Sequence, residues 1–263
     1  MKVLKFELYQ PAALYRIPYS QSRWLTYISP PYSTIIGFFC NILGEKSFIS
    51  SFLETTNYIA VYSKFLSKTK SYSWLRNLSK NRVHVETEHI GSQSPIILEE
   101  LNDVHLNIYL YSEQEDFYGK LIQNSSLPEK WLHHLHLGRS EDWVQINNIK
   151  VINVPKQPIY GRLEGSTWAA NPNDSLYGTE ENSHYKEFYS KLATAETLIS
   201  SLYEIKQISF KSDNKLKVNY VRNFNYIPSK LIYNNDLPYS TTKNYEFYID
   251  DDVPLFFTKI KKR

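Results

Sequence analysis

A chain of 263 residues with 42% hydrophobic content is long enough for one large domain or two small ones around a packed core. Its single cysteine, Cys40, excludes an internal disulfide and a multi-thiol zinc site, and no run of about 18 apolar residues offers a membrane-spanning helix. The net charge of +3 hides an asymmetry: residues 1–82 hold 11 Lys/Arg against 3 Asp/Glu, whereas residues 83–119 hold 8 Asp/Glu and no Lys/Arg.

That asymmetry suits one face for a polyanion and another for a second partner, unless the charges interleave in space and cancel. The 22 tyrosines fit stacking and interface surfaces, and equally fit strands as filler. The first residues read as a strand rather than a signal peptide, so the chain is expected to be soluble and cytoplasmic.

Val3 to Leu8 alternates apolar and polar residues, which predicts a half-buried strand ended by Pro11. The loop from Gln10 to Ser29 carries Arg16 and Arg23 among Tyr15, Tyr19, Trp24 and Tyr27, with no acidic residue. Pro30-Pro31 then opens a helix, with Ile35, Ile36, Phe38, Phe39, Ile42 and Leu43 at near-helical spacing and Gly44 as its stop. Gly37 costs such a helix about 1 kcal/mol against alanine, and close packing on a strand is the expected reason. Ser47 to Leu53 extends as a short helical piece, and residues 57–66 read as a strand.

From Thr55 to Val85 there is no acid. Lys64, Lys68, Lys70, Arg76, Lys80 and Arg82 alternate there with Tyr58, Tyr62, Phe65, Tyr72 and Trp74. Cations neutralise phosphates and aromatics offer faces to bases, so the run reads as a single-strand RNA surface or as a plain solvated face. Residues 83–100 read as a loop running into a strand, and Asp103 to Tyr111 alternates as a strand. Glu113 to Gln123 is a predicted helix, Pro128 to Leu135 a second helical piece, Gly138-Arg139 a turn and Trp143 to Ile149 a strand. Beyond it, Lys150 to Leu163 reads as strand plus loop and residues 171–183 as a polar loop. Tyr185 to Tyr203 reads as an amphipathic helix, with Phe188, Leu192, Ala195, Ile199 and Leu202 at helical spacing. Asp213-Asn214 marks a hairpin between Ile208–Phe210 and Leu216–Val221, and Tyr245 to Ile249 is a last strand before a basic tail.

The opening block resembles CRISPR-associated protein family five, a Cascade subunit at the 5′ end of the guide RNA. The shared features are the first strand, Pro11-Ala12, Tyr15-Arg16, Pro18, Arg23, Thr26-Tyr27, Pro30-Pro31, Ser33-Thr34, Gly37 and Ile42-Leu43-Gly44, with a second match at Leu137-Gly138-Arg139. Gln10 departs from the pattern, which usually has glycine before the proline. The overall feel is closest to the type I-B branch. The resemblance implies an α+β fold: a ferredoxin-like, RRM-type RNA-binding domain over 1–150 with a β-hairpin thumb inserted at about 57–100, then a smaller β-rich C-terminal region over 151–263 with one amphipathic helix.

It also implies a non-catalytic subunit that holds the 5′ handle of the crRNA and caps the backbone filament. Its partners would be the Cascade backbone and large subunits, with target DNA met indirectly and no membrane. The expected RNA-binding residues are Arg16, Tyr19, Arg23, Tyr27, Lys64, Lys68, Lys70, Arg76, Lys80, Arg82, Gly138 and Arg139. The acidic stretch near 99–116 would face solvent or a neighbouring subunit. No catalytic residue, metal or cofactor is assigned. Gly138-Arg139 is equally an ordinary turn with a surface arginine, and it lacks nucleotide-loop spacing. His133, His134 and His136 form a cluster suited to RNA cleavage or to plain solvation. One branch of the resembled family cuts precursor guide RNA, so the alternative is a metal-independent endoribonuclease processing precursor crRNA.

Overall fold

A computed structural model describes residues 1–18, 20, 23–77, 92–158, 163–179, 184–212, 215–234 and 245–261. The chain begins with β1 (Lys2–Ala13), β2 (Tyr15–Arg16), β3 (Arg23–Trp24) and β4 (Thr26–Tyr27). Helices α1 (Tyr32–Leu43) and α2 (Lys46–Glu54) follow, then two 21-residue strands, β5 (Asn57–Asn77) and β6 (Ser92–Ser112). Helix α3 (Asp116–Ser125), β7 (Gln145–Asn153), β8 (Lys156–Pro158), β9 (Ser166–Ala170) and α4 (Tyr185–Lys191) come next. The chain closes with β10 (Glu196–Ser212), β11 (Lys215–Tyr233), β12 (Glu246–Asp250), β13 (Val253–Leu255) and β14 (Thr258–Ile260).

One large sheet organises these elements into a mixed α+β fold. Its order is β10-β11-β9-β5-β6-β1-β7, with β14 also on β5 and β3 on β6. Every pairing in it is antiparallel except β3 with β6. Helix α1 packs Ile35, Phe38, Phe39 and Ile42 on one face of the sheet, against Phe6, Val61 and Ile108. On the other face Val3, Tyr58, Ala60 and Tyr109 meet Leu255 and Phe257. A third, aromatic cluster joins α4 to β12 through Tyr177, Tyr185, Phe188 and Phe247. Among the described residues ten tyrosines are buried in these layers, so much of the tyrosine excess is core filler rather than stacking surface.

Several expectations change. Strand β1 is buried on both faces, not half-buried. Lys5 is only 3% exposed, its ammonium 2.6 Å from Asp250 and 3.2 Å from Glu7. Burial alone would lower the Lys5 ammonium, but its bonds to Asp250 and Glu7 outweigh that and raise it above 10.5. Pro11 lies inside β1 rather than ending it. Pairing with β7 stops at Tyr9, so the proline has a strand partner on one side only, and the register with β6 skips it between Gln10↔Val104 and Ala12↔Asn102. Gly44 does stop α1, at φ 69°. Gly37 does not pack on a strand: a methyl placed there would meet nothing within 4 Å.

The segment 185–203 is not one helix. Helix α4 ends at Lys191, and Ile199 and Leu202 belong to β10. Residues three apart on a regular strand face opposite ways, but the β10–β11 register shifts between Ser200 and Tyr203. This bulge turns both Ile199 and Leu202 inward, which imitates helical spacing. The piece after Pro128 is a single 3-10 turn, Pro128–Lys130. Residues 131–135 run as a loop tied to α1, where Asn41 accepts from the His133 amide at 2.8 Å.

Candidate nucleic-acid interface

The front loop leaves β1 at Ala13 and returns to α1 by way of two short pairings. Tyr15 pairs with Tyr27 and Arg16 with Thr26, while Arg23 and Trp24 run parallel to Ile97 and Leu98 of β6. The loop is therefore laced to the outer half of the long β5–β6 hairpin, where Ile97 and Leu98 face Tyr72 and Ser71; the hairpin pairs without break of direction from Asn57↔Ser112 to Asn77↔Ser92. The Arg16 guanidinium lies 4.5 Å over the Trp24 ring and donates to the Ser20 carbonyl at 3.3 Å. Arg16 and Arg23 are exposed, and among the described residues neither has an acidic partner. Tyr27 packs edge-on against Trp168 at 5.6 Å, so its ring is turned to the body. Tyr19, Lys80 and Arg82 lie outside the described residues, and the Arg76 side chain is also outside them.

The lysines of the hairpin are less free. Lys68 and Lys70 lie 3.4 and 3.5 Å from Glu99, whose side chain is only 8% exposed, and Lys64 lies 3.2 Å from Glu164. Glu99 sits directly opposite Lys70 across the hairpin. The acidic stretch thus folds back onto the basic one instead of facing solvent or another subunit at this point. Drawing both lysines to a phosphate would leave Glu99 unpaired beside the new anion, which opposes the transfer.

Arg139 is held tightest. Its Nε and Nη2 reach Asp142 at 3.1 and 2.6 Å, and Nη2 also reaches Glu100 at 2.6 Å. Burial opposes the charge, but Asp142 and Glu100 outweigh it and push the guanidinium further up. Asp142, with a side chain 1% exposed, also accepts from the amides of Leu14 at 3.0 Å and Arg139 at 2.9 Å. Gln10, fully buried, donates to the carbonyls of Leu137 and Asp142 at 2.9 and 3.0 Å and accepts from the Tyr15 hydroxyl at 2.6 Å. Gly138, at φ 107°, has no room for a methyl, which would sit 2.7 Å from the Leu14 carbonyl and from Asp142. The Gly138-Arg139 turn is built to dock on the end of β1. Sequence reasoning missed Asp142 and Gln10; the available signals were an aspartate three residues after the arginine and a polar side chain on an inward strand position.

The histidines share the loop beside this turn. His134 Nε2 lies 2.6 Å from the Ser140 carbonyl and His136 Nδ1 lies 3.0 Å from the His134 carbonyl. A carbonyl only accepts, so each of those ring nitrogens carries its proton. Among the described residues no three His, Cys, Asp or Glu side chains gather as a metal site. No helix there is long and apolar enough to cross a membrane.

The fold and this surface define an α+β protein with a cationic, aromatic front loop braced on a long hairpin. Residues 3–94, which span that loop and the first hairpin strand, match the family described as CRISPR-associated protein (Cas_Cas5). No curated protein matches the chain. Among solved structures it is similar to a chain of a "CRISPR RNA-guided surveillance complex", 12% identical over 89% of this chain and 92% of that one, with a TM-score of 0.49. It is also similar to a CRISPR protein from Archaeoglobus fulgidus, 12% identical over 98% and 99%, TM-score 0.38. A chain of a Type III-B Cmr-beta complex bound to cognate target RNA is 16% identical over 58% and 61%, TM-score 0.41.

Proposed function

We propose that this chain is a non-catalytic, RNA-binding subunit of a type I CRISPR effector complex, nearest the type I-B branch. It holds the 5′ handle of the crRNA and caps the backbone filament. It touches the backbone and large subunits and leaves target sequence to base pairing. In this reading residues 1–150 form the RNA-binding unit, with the β5–β6 hairpin as its thumb, and residues 151–263 form the C-terminal region. The observation that carries it is the coincidence of the family match over 3–94 with Arg16 and Arg23, two exposed cations on that segment without an acidic partner among the described residues. Arg16 and Arg23 take phosphates; Lys64, Lys68 and Lys70 contribute after exchanging their carboxylate partners, and Arg139 positions the turn beneath them.

The test is binding of the purified protein to its own repeat RNA over a salt series in metal-free buffer. Each phosphate contact on a single strand adds about 0.7 to the slope of log affinity against log salt. Arg16→Ala with Arg23→Ala should therefore flatten the slope by about 1.4. A flat response in the parent protein sinks the reading. The rival endoribonuclease draws on the cluster His133, His134 and His136, of which His133 and His136 share a groove with Tyr203. The same incubation decides it: the RNA should emerge uncut, and site-specific cleavage lost in His134→Ala or His136→Ala would overturn the non-catalytic assignment.

A further inference from the structure

A groove of about 520 Å³ runs between the outward face of α1, the histidine loop and the base of the β10–β11 hairpin. That is the size range of small-molecule sites, roughly 300–1,000 Å³. Its floor is the α1 face carrying Ser33, Gly37 and Asn41, spaced one turn apart. One wall is His133 and His136. The other wall is Tyr203 and Phe224, a directly paired cross-strand couple with ring centroids 5.3 Å apart, and Arg222, whose guanidinium lies 5.0 Å over the Tyr203 ring. Among the described residues no acidic side chain lines the groove, and Arg222 has no acidic partner.

Two features of its lining bear on a ligand. The bulge after Ser200 turns Tyr203 out of the core, leaving it 45% exposed on the hairpin face shared with Ile205, Arg222 and Tyr220. Gly37 interrupts a twelve-residue helix at a position where a methyl would meet nothing within 4 Å. Glycine there costs helix stability, and packing within the chain gives no return for it. A bare backbone does let a flat ligand approach closely. Aromatic faces beside an unpaired arginine are the usual seat for a splayed base and its phosphate.

We propose that this groove seats one unpaired base of a single-stranded RNA, stacked on Tyr203 beside Phe224, over the bare surface at Gly37, with Arg222 on the adjoining phosphate. The proposal takes its ligand class from the RNA-binding reading above and adds a second contact site, separate from the front loop.

The experiment is fluorescence anisotropy of the full chain with a fluorescein-labelled, mixed-sequence single-stranded RNA, alongside thermal unfolding. Gly37→Leu fills the groove with a good helix former, so it should weaken RNA binding roughly ten-fold while unfolding no earlier than the parent. Tyr203→Ala should weaken binding to a similar degree, and Tyr203→Phe should restore it, because stacking needs the ring and not the hydroxyl. Lys206→Ala, on the opposite hairpin face, should change affinity far less. Parent-like binding by both Gly37→Leu and Tyr203→Ala overturns the proposal; if Arg16→Ala with Arg23→Ala still weakens binding, the front-loop reading survives that failure. Absence of RNA binding by the parent protein removes both. Unchanged RNA affinity with loss of a co-purifying protein would assign the groove to protein docking and equally overturn the proposal.

Discussion

Asp142→Ala should be among the most damaging single substitutions in the chain. The carboxylate is buried and accepts from two backbone amides, Leu14 at 3.0 Å and Arg139 at 2.9 Å, as well as from the Arg139 guanidinium. Each buried amide left unpaired costs about 1–3 kcal/mol. Breaking the buried ion pair from one side costs about 3–5 kcal/mol. The terms overlap, because part of the second is the desolvation counted in the first, and Glu100 still holds Arg139 at 2.6 Å. The expected loss is therefore about 3–5 kcal/mol in total. At about 2–4 °C per kcal/mol for a chain of this size, the unfolding midpoint should fall by roughly 6–20 °C. Arg139→Ala should cost less, since Asp142 keeps both amides. It should leave RNA affinity near that of the parent at temperatures where the protein is folded. Thermal unfolding by circular dichroism measures the first effect and anisotropy the second. A midpoint for Asp142→Ala within about 2 °C of the parent would refute the assignment of this carboxylate as the clamp.

Two glycines of the first helix should respond in opposite directions. Gly44→Ala forces a methyl to 1.9 Å from the Lys130 carbonyl at a positive φ and should destabilise by upward of about 2 kcal/mol, whereas Gly37→Ala should stabilise by about 1 kcal/mol; urea midpoints that move the same way for both would contradict the packing described. For Glu7, burial alone would raise the carboxyl, but bonds from Lys5, Asn148 and Lys150 outweigh it and hold it below 4.5. Its contribution to stability is present above 4.5 and is lost as pH falls through the lower folded value. The deficit of Glu7→Gln against the parent should thus shrink between neutral pH and about pH 3, as read from urea midpoints, and a constant deficit would count against the pairing. Burial pushes the Cys40 thiol up to about 12, so alkylation by iodoacetamide should be slow near neutral pH in the folded protein and fast in urea; full labelling of the native chain within minutes at that pH would contradict this.

What the sequence made legible was local. The period of two in Val3 to Leu8 and Asp103 to Tyr111 and the proline and glycine that bracket α1 each report on a few neighbouring residues, and each corresponds to an element found. The Asp213-Asn214 turn signal lies outside the described residues, and the strands on either side of it pair up to Ser212↔Lys215. What stayed hidden depended on distant partners. Lys5 reads as a solvent-facing lysine until Asp250 arrives from 245 positions away. The charge blocks read as separate faces until β6 folds back on β5 and sets Glu99 between Lys68 and Lys70. Arg139 reads as an open cation until Asp142 and Glu100 close on it. The bulge at Ser200 hid β10 for a different reason, because one extra residue converts strand spacing into apparent helix spacing.

The same lesson sets the electrostatics of RNA binding. A front segment with 11 cations against 3 acids suggests steep salt dependence, yet at Lys64, Lys68 and Lys70 of that segment, and at Arg139 beyond it, the charge is already met within the chain. Only cations that release counterions from the RNA without first losing a carboxylate contribute fully to the slope. Arg16 and Arg23 meet that condition. Tyr203 contributes by stacking, which releases few ions. The two contact sites should therefore separate in one data set. Replacing Arg16 and Arg23 should flatten the line of log affinity against log salt. Tyr203→Ala should lower the whole line and keep its slope. Equal flattening by Tyr203→Ala would mean that the groove acts through charge, and the stacking geometry proposed for it would have to be abandoned.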